Sequence, residues 1–153
     1  MTTRASEVIS RLRGKTLATA ESCTGGGIGQ ALTAVPGASE VYKGGIISYC
    51  NEIKHKLLDV PVNTLAEFGA VSAPVAEAMA KGARSALNAD IAVSVTGLAG
   101  PSGDEFGNPV GTVFIGYADE KIAISRHFLF SGDRDAIRKQ AVNAALELIL
   151  ENV

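Results

Sequence analysis

Cysteine and histidine are scarce in this sequence: two of each, Cys23 and Cys50, His55 and His127, dispersed along 153 residues. Two thiols close at most one bridge, which argues against a disulfide-stapled secreted scaffold. Four scattered side chains offer no zinc-type ligand spacing, so no structural metal is expected. Blocks of like charge are also missing. Lys plus Arg number 14 and Asp plus Glu 16, for a formal net charge of −2, a balance that argues against nucleic acid as the partner. No stretch approaches the ~18 uncharged apolar residues of a spanning helix. Residues 1–15 interrupt their apolar positions with Arg4, Glu7, Arg11 and Arg13, unlike the core of a secretory signal. A cytoplasmic protein with no membrane partner is the expectation. Internal repeats and low-complexity tracts are absent.

What is present is a foldable core. With 46% hydrophobic and 20% charged residues over 153 positions, the chain is long enough for one cored domain and short for two; residues 1–153 are read as a single domain. Ala5, Val8, Ile9 and Leu12 form one stripe of a helix over 4–13. A short strand over 16–20 and a helix over 28–35 follow. After the Pro36-Gly37-Ala38 break comes a strand over 44–49, then helices over 51–58 and 63–68. Ser72-Ala73-Pro74 is a helix start, and Ala76, Met79, Ala80, Ala83 and Leu87 give that helix a small-residue face suited to close packing on a sheet. The run 91–95 is apolar at nearly every position, as central parallel strands are. The Gly- and Pro-rich segment 99–109 is a loop of a length more often functional than not. Strands over 111–118 and 122–130 pair antiparallel through Asp119-Glu120-Lys121. A last helix, 133–150, carries the stripe Ile137, Ala141, Ala145, Leu148, Ile149 and an Asp135–Lys139 pair one turn apart. This order predicts an α/β fold: a mixed, mostly parallel sheet of about five strands with helices on both faces. Ligands of such sheets gather beyond the carboxyl ends of the strands.

Three strands end in reactive or ligand-like residues: Ser22 and Thr24, Tyr49 and Lys54, Thr96 and Gly97. Parallel strands bring these ends to one rim, which is stronger evidence than any short motif. The richest corner is Glu21-Ser22-Cys23-Thr24-Gly25-Gly26-Gly27, a strand-to-helix turn whose N–H groups suit a phosphate or a developing oxyanion. Ser22 is not in a Gly-x-Ser-x-Gly elbow and has no neighbouring histidine, so a lysine base is the economical partner. Lys54, if desolvated, loses its proton more easily than at its usual pKa of ~10.4; Tyr49 shares or relays it, and N–H groups of Cys23, Thr24 or Gly25 hold the oxyanion. Ser22, Tyr49 and Lys54 are therefore the candidate catalytic set. Glu21, Cys23, Thr24, Gly25, Gly26, Thr96 and Gly97 are candidate substrate contacts. Arg134 and Arg138, four residues apart at a helix start, oppose both each other and the positive helix end; an anionic ligand such as phosphate, or failing that a carboxylate pair, relieves the conflict. Plainer readings stand beside these: Ser22 and Thr24 as caps of the next helix, Tyr49 as a half-buried ring, Lys54 as a solvated lysine, Gly97 and Gly100 as turn residues. Cys23 is the alternative nucleophile, since thiols at helix starts are activated. Cys50 reads as a packing residue, His127 as structural and His55 as solvent-facing.

Ala20-Glu21-Ser22-Cys23-Thr24-Gly25-Gly26, the segment 48–54 (Ser-Tyr-Cys-Asn-Glu-Ile-Lys), Gly69-Ala70-Val71-Ser72, Thr96-Gly97-Leu98-Ala99-Gly100-Pro101, Pro109-Val110-Gly111-Thr112-Val113 and Phe130-Ser131-Gly132-Asp133-Arg134 together resemble the CinA C-terminal domain family. This is the competence/damage-inducible family whose stand-alone members act as nicotinamide-nucleotide amidases. The resemblance implies a three-layer α/β/α fold, no required cofactor, and hydrolysis of nicotinamide mononucleotide to nicotinic acid mononucleotide and ammonia in pyridine nucleotide salvage. By motif, Ser22 matches the nucleophile, Tyr49 and Lys54 its activating partners, and Thr96 and Arg134 the lining of the substrate site. Two departures stand out. Many members carry a further N-terminal nucleotide-processing domain with no counterpart in this sequence, so none of its activity is expected. Cys50 also stands where a serine is more usual. The alternatives are a non-catalytic nucleotide-sensing module and an amidase of another phosphorylated amide. Ala-rich helix faces make a homo-oligomer an expectation, with no interface assigned.

Overall fold

The computed structural model describes residues 2–153. Its elements follow in the order α1 (Arg4–Arg11), β1 (Leu17–Glu21), α2 (Gly27–Thr33), β2 (Tyr42–Ile47), α3 (Asn51–Leu58), α4 (Val62–Phe68), α5 (Ala73–Ala86), β3 (Ile91–Gly97), β4 (Thr112–Ala118), β5 (Ala123–Leu129) and α6 (Arg134–Asn152). The five strands form one sheet in the order β2-β1-β3-β4-β5. β1 runs parallel to β2 and β3, and β4 lies antiparallel to both β3 and β5, so four strands share one direction and only β4 opposes it.

Alternation decides which helix packs where. Leu17 of β1 and Ile91, Val93 and Val95 of β3 point to one face and join Ile137, Ala141 and Leu148 of α6, Ile28 and Leu32 of α2, and Val8 and Ile9 of α1 in a buried cluster. Ala18, Ala20 and Ala92 point to the other and meet Leu58, Val75, Met79 and Ala83. Bulky residues thus face three helices on one side, and small ones admit α5 closely on the other. Ser94 Oγ donates to Ala76 O at 2.5 Å, and a Cβ on Gly116 would lie 2.3 Å from the same carbonyl oxygen. The expected three layers and close α5–sheet contact are present. Ala80, Ala83, Ala141 and Ala145 of α5 and α6 are buried inside this chain.

The boundaries moved in two instructive places. α1 stops at Arg11, not at residue 13, because Leu12 caps it and Gly14, at φ 90°, turns the chain. β2 begins at Tyr42, not at residue 44: Tyr42 pairs with Leu17 and its hydroxyl lies 2.8 Å from Thr19 Oγ1. β2 ends at Ile47, and Ser48 makes the last main-chain link, its N–H donating to Glu21 O at 2.7 Å. Tyr49 then leaves the sheet altogether, 64% exposed. The loop between β3 and β4 is held from within by Asp104, which accepts from the Phe106 and Asn108 N–H groups, and from without by Asn108 Nδ2 donating to Val71 O. Among the described residues, no helix is long and apolar enough to cross a membrane.

Candidate active site

β1 delivers Ser22 to the carboxyl rim, where its N–H donates to Val95 O at 3.1 Å and keeps the turn in register with β3. From α3, Lys54 reaches under the same turn. Its Nζ donates to Ser22 Oγ at 3.1 Å and to Ser48 O at 2.8 Å. Lys54 is 2% exposed, and burial lowers its pKa, with only Cys50 and Cys23 pulling the other way. Stripped of a proton, Nζ is placed to accept from the Ser22 hydroxyl. The solvated-lysine reading of Lys54 is excluded by this burial.

A cavity of about 300 Å³ opens over this pair, lined by Ser22, Cys23, Tyr49, Lys54, Thr96, Gly97 and Arg134 among others. Tyr49 does not bond Ser22 or Lys54; its hydroxyl accepts from Arg134 NH2 at 3.1 Å. Arg134 also donates to Gly100 O. Thr96 is buried and donates through Oγ1 to Ala70 O at 2.8 Å. Gly97 is bare because β4 lies against it: a Cβ there would sit 2.7 Å from Val113 Cγ2.

The glycine corner differs from its sequence reading. The anion at the start of α2 is the chain's own: the Glu21 carboxylate accepts from the Gly26, Ile28 and Gly29 N–H groups at 3.2, 2.9 and 2.9 Å, and from Thr24 Oγ1 at 2.7 Å. That helix start is therefore closed to a ligand phosphate, and the Glu21 and Thr24 side chains lie behind the cavity. Gly25 and Gly26 adopt φ 60° and 110°, a left-handed path that favours glycine. The Gly25 N–H, expected as an oxyanion donor, instead donates to Ser22 O at 3.1 Å. Neither the Cys23 nor the Thr24 N–H donates to any other of the described residues.

The two arginines of α6 part company. Arg134 lines the cavity, whereas Arg138 turns to the back of the corner, Nε donating to Cys23 O at 3.0 Å and NH2 to Thr24 O at 3.2 Å. Two backbone carbonyls accept from its guanidinium there. Asp133 caps the helix by accepting from Ala136 N at 2.9 Å.

Burial pushes the Cys23 thiol up to about 11, against the opposing pull of its own backbone hydrogen bond and of Arg138; at neutral pH it is a protonated, poor nucleophile. Cys50 is exposed at the start of α3, not packed. His127 stacks on Phe114 with centroids 4.5 Å apart, and His55 Nδ1 lies 2.8 Å from Val60 O. Neither histidine lines the cavity. Sequence reasoning missed Ser48, whose carbonyl anchors Lys54, and Asn51, Ala70, Val71 and Ser102 in the cavity wall. The Ser48 contact is made by main chain, which leaves no mark on residue type. A larger groove of about 640 Å³ between α3 and α5 contains Lys56, Asp59, Thr64, Glu77, Lys81 and Ser85 and none of the converging strand-end residues. Among the described residues no three His, Cys, Asp or Glu side chains gather as a metal-ligand set.

The CinA C-terminal domain matches the chain over residues 1–153. A CinA-like protein of Geobacter sulfurreducens is 49% identical over 137 residues, which are 90% of this chain and 33% of that protein. The chain thus spans about a third of the length of such relatives. A nicotinamide-nucleotide amidohydrolase PncC of Pseudomonas putida is 44% identical over 151 residues, 99% of this chain and 94% of that protein. A solved structure of a competence-damaged protein (CinA) superfamily protein from Escherichia coli matches with a TM-score of 0.95 at 34% identity, covering 98% of this chain and 88% of that one.

Proposed function

We propose that this chain, which belongs to the CinA C-terminal domain family, hydrolyses the carboxamide of nicotinamide mononucleotide to nicotinic acid mononucleotide and ammonia. One observation carries the reading: a buried lysine with a lowered pKa hydrogen-bonds a serine hydroxyl at 3.1 Å beneath a small cavity. The relative named for that activity supports it along nearly its whole length.

In the first half-reaction neutral Lys54 takes the Ser22 proton as Oγ bonds to the carboxamide carbon, and the carbonyl π pair moves onto oxygen. The Cys23 and Thr24 N–H groups receive that oxyanion. The C–N bond breaks as the oxyanion collapses, and Lys54 returns its proton to the departing nitrogen, releasing ammonia. Water then attacks the acyl-serine ester, its proton passing to Lys54. Collapse expels Ser22 Oγ, which takes that proton back and leaves the pyridine carboxylic acid. Arg134, held at the cavity wall by Tyr49 and Gly100 O, offers the cation for the substrate phosphate. A cavity of about 300 Å³ falls at the small end of the ~300–1,000 Å³ typical of small-molecule sites.

Ammonia release from nicotinamide mononucleotide tests this directly. Wild type is expected to release it, Ser22→Ala to lose roughly 10³-fold or more of the rate, and Cys23→Ala to keep it. Nucleotide binding by both wild type and Ser22→Ala, with ammonia from neither, would establish a sensing module instead. Release from other phosphorylated amides alone would move the substrate and leave the chemistry.

A further inference from the structure

We infer that Arg138 is a positioning residue that aims the oxyanion donors of this site, not a ligand for the substrate phosphate; the inference rests on Ser22 being the attacking group, as proposed above. In a trans peptide unit the N–H points opposite to its own C=O. Holding Cys23 O therefore fixes the direction of the Thr24 N–H, and holding Thr24 O fixes that of the Gly25 N–H. Arg138 holds both carbonyls with one planar guanidinium, at 3.0 and 3.2 Å. The Gly25 N–H in turn donates to Ser22 O at 3.1 Å, and that bond fixes the third peptide plane, whose N–H belongs to Cys23. Three consecutive planes are thus locked from one side chain, and they carry the two N–H groups, of Cys23 and Thr24, that donate to no other described residue.

A cation on a carbonyl also strengthens donation by the N–H of the same unit, because hydrogen bonds in series polarise one another. The left-handed Gly25 and Gly26 leave this turn conformationally loose in isolation. Glu21 ties its far end to α2 through the N–H groups of Gly26, Ile28 and Gly29. The near end, beside the nucleophile, depends on Arg138. A rigid fork suits two adjacent carbonyls, which a point-like ammonium serves less well.

Arg138→Met keeps the apolar stem and removes the fork; Arg138→Lys keeps the charge; Lys139→Met, on the exposed side of the same helix, serves as the control. The first readout is ammonia release from nicotinamide mononucleotide. Arg138→Met is expected to lower kcat about 10²-fold with KM within about twofold, near the lower end of the effect of deleting an oxyanion donor. Arg138→Lys is expected to lose about 10-fold and so decides the matter should the Met variant fail to fold. Unchanged kcat, or a loss expressed in KM alone, overturns the inference and returns Arg138 to phosphate binding.

The second readout does not need amide turnover. A small alkyl fluorophosphonate phosphonylates a serine: Oγ–P forms, P–F breaks, fluoride leaves and the hydroxyl proton goes to Lys54, while the phosphoryl oxygen occupies the oxyanion position. Labelling of Ser22, read by mass spectrometry, is expected to slow about tenfold or more in Arg138→Met and to be unchanged in Lys139→Met. Wild type labelled at Ser22 but silent on every amide would sink the amidase reading while the labelling rates still decide Arg138. Equal labelling rates overturn the inference whatever the amide result, and no labelling of wild-type Ser22 together with no ammonia overturns both.

Discussion

Lys54 is 2% exposed, and its two acceptors are a hydroxyl and a carbonyl, neither of them charged. Nothing formally negative balances an ammonium there, and burial lowers the pKa from the ordinary 10.5. The folded state consequently binds this proton less readily than the unfolded chain does. The destabilisation from charging it is full below the folded pKa and gone above the unfolded one. Two outcomes follow from the same sign. kcat/KM should rise with pH along a limb set by Lys54, with its midpoint below 10.5; a limb at the unshifted value would mean the lysine is solvated during turnover. Lys54→Met, close in volume and uncharged, should lose ammonia release by about 10²–10⁴-fold, the usual worth of a general base. Its urea midpoint at pH 7 should equal or exceed that of wild type, because an apolar isostere removes the cost of desolvating a buried amine. Loss of both rate and stability would make Lys54 a structural tie instead.

The element that carries Lys54 has no direct seat on the sheet's hydrogen-bond ladder; it is placed by its packing against α5. That packing runs through Gly82, where a Cβ would lie 1.8 Å from Leu58 O and 2.6 Å from Leu58 C. Intrinsic propensity favours alanine over glycine inside a helix by ~1 kcal/mol. Here the clash should win, since the atoms in the way are backbone at the end of α3 and overpacking typically costs ~1–3 kcal/mol. Gly82→Ala is therefore expected to destabilise by up to about 2 kcal/mol net in urea unfolding. It should also lower kcat, because pushing α3 outward lengthens the Lys54–Ser22 bond and a shift of ~1 Å can cost ~10²-fold in rate. A more stable, fully active variant would mean the two helices have room to spare. A helical pattern alone flags Gly82 only as a mild weakness; the reason for it lies in another element.

At the scale of the whole molecule, what was legible follows from which forces leave a pattern. Period-2 and period-3.6 burial placed all five strands and six helices, and the convergence of parallel strand ends brought Ser22, Tyr49, Lys54, Thr96 and Gly97 to one cavity. Contacts between a side chain and distant main chain left no such trace. Glu21 reads as a ligand group until its carboxylate is found on the N–H groups of α2, and Arg138 reads as a phosphate ligand until its fork is found on Cys23 O and Thr24 O. Because the cavity draws on β1, α3, β3 and α6, no single segment contains it. α3 nonetheless shares a core with the sheet: Leu58 is buried in the same cluster as Ala18, Ala20 and Ala92. Detaching α3 would expose that core, so local opening of the site should be nearly as unfavourable as global unfolding. Ammonia release and far-UV ellipticity are therefore expected to be lost at the same urea concentration, as a two-state transition requires. An activity midpoint clearly below the ellipticity midpoint would identify α3 as a separate cooperative unit, held to the sheet by Lys54 and Gly82 more than by the buried face of Leu58.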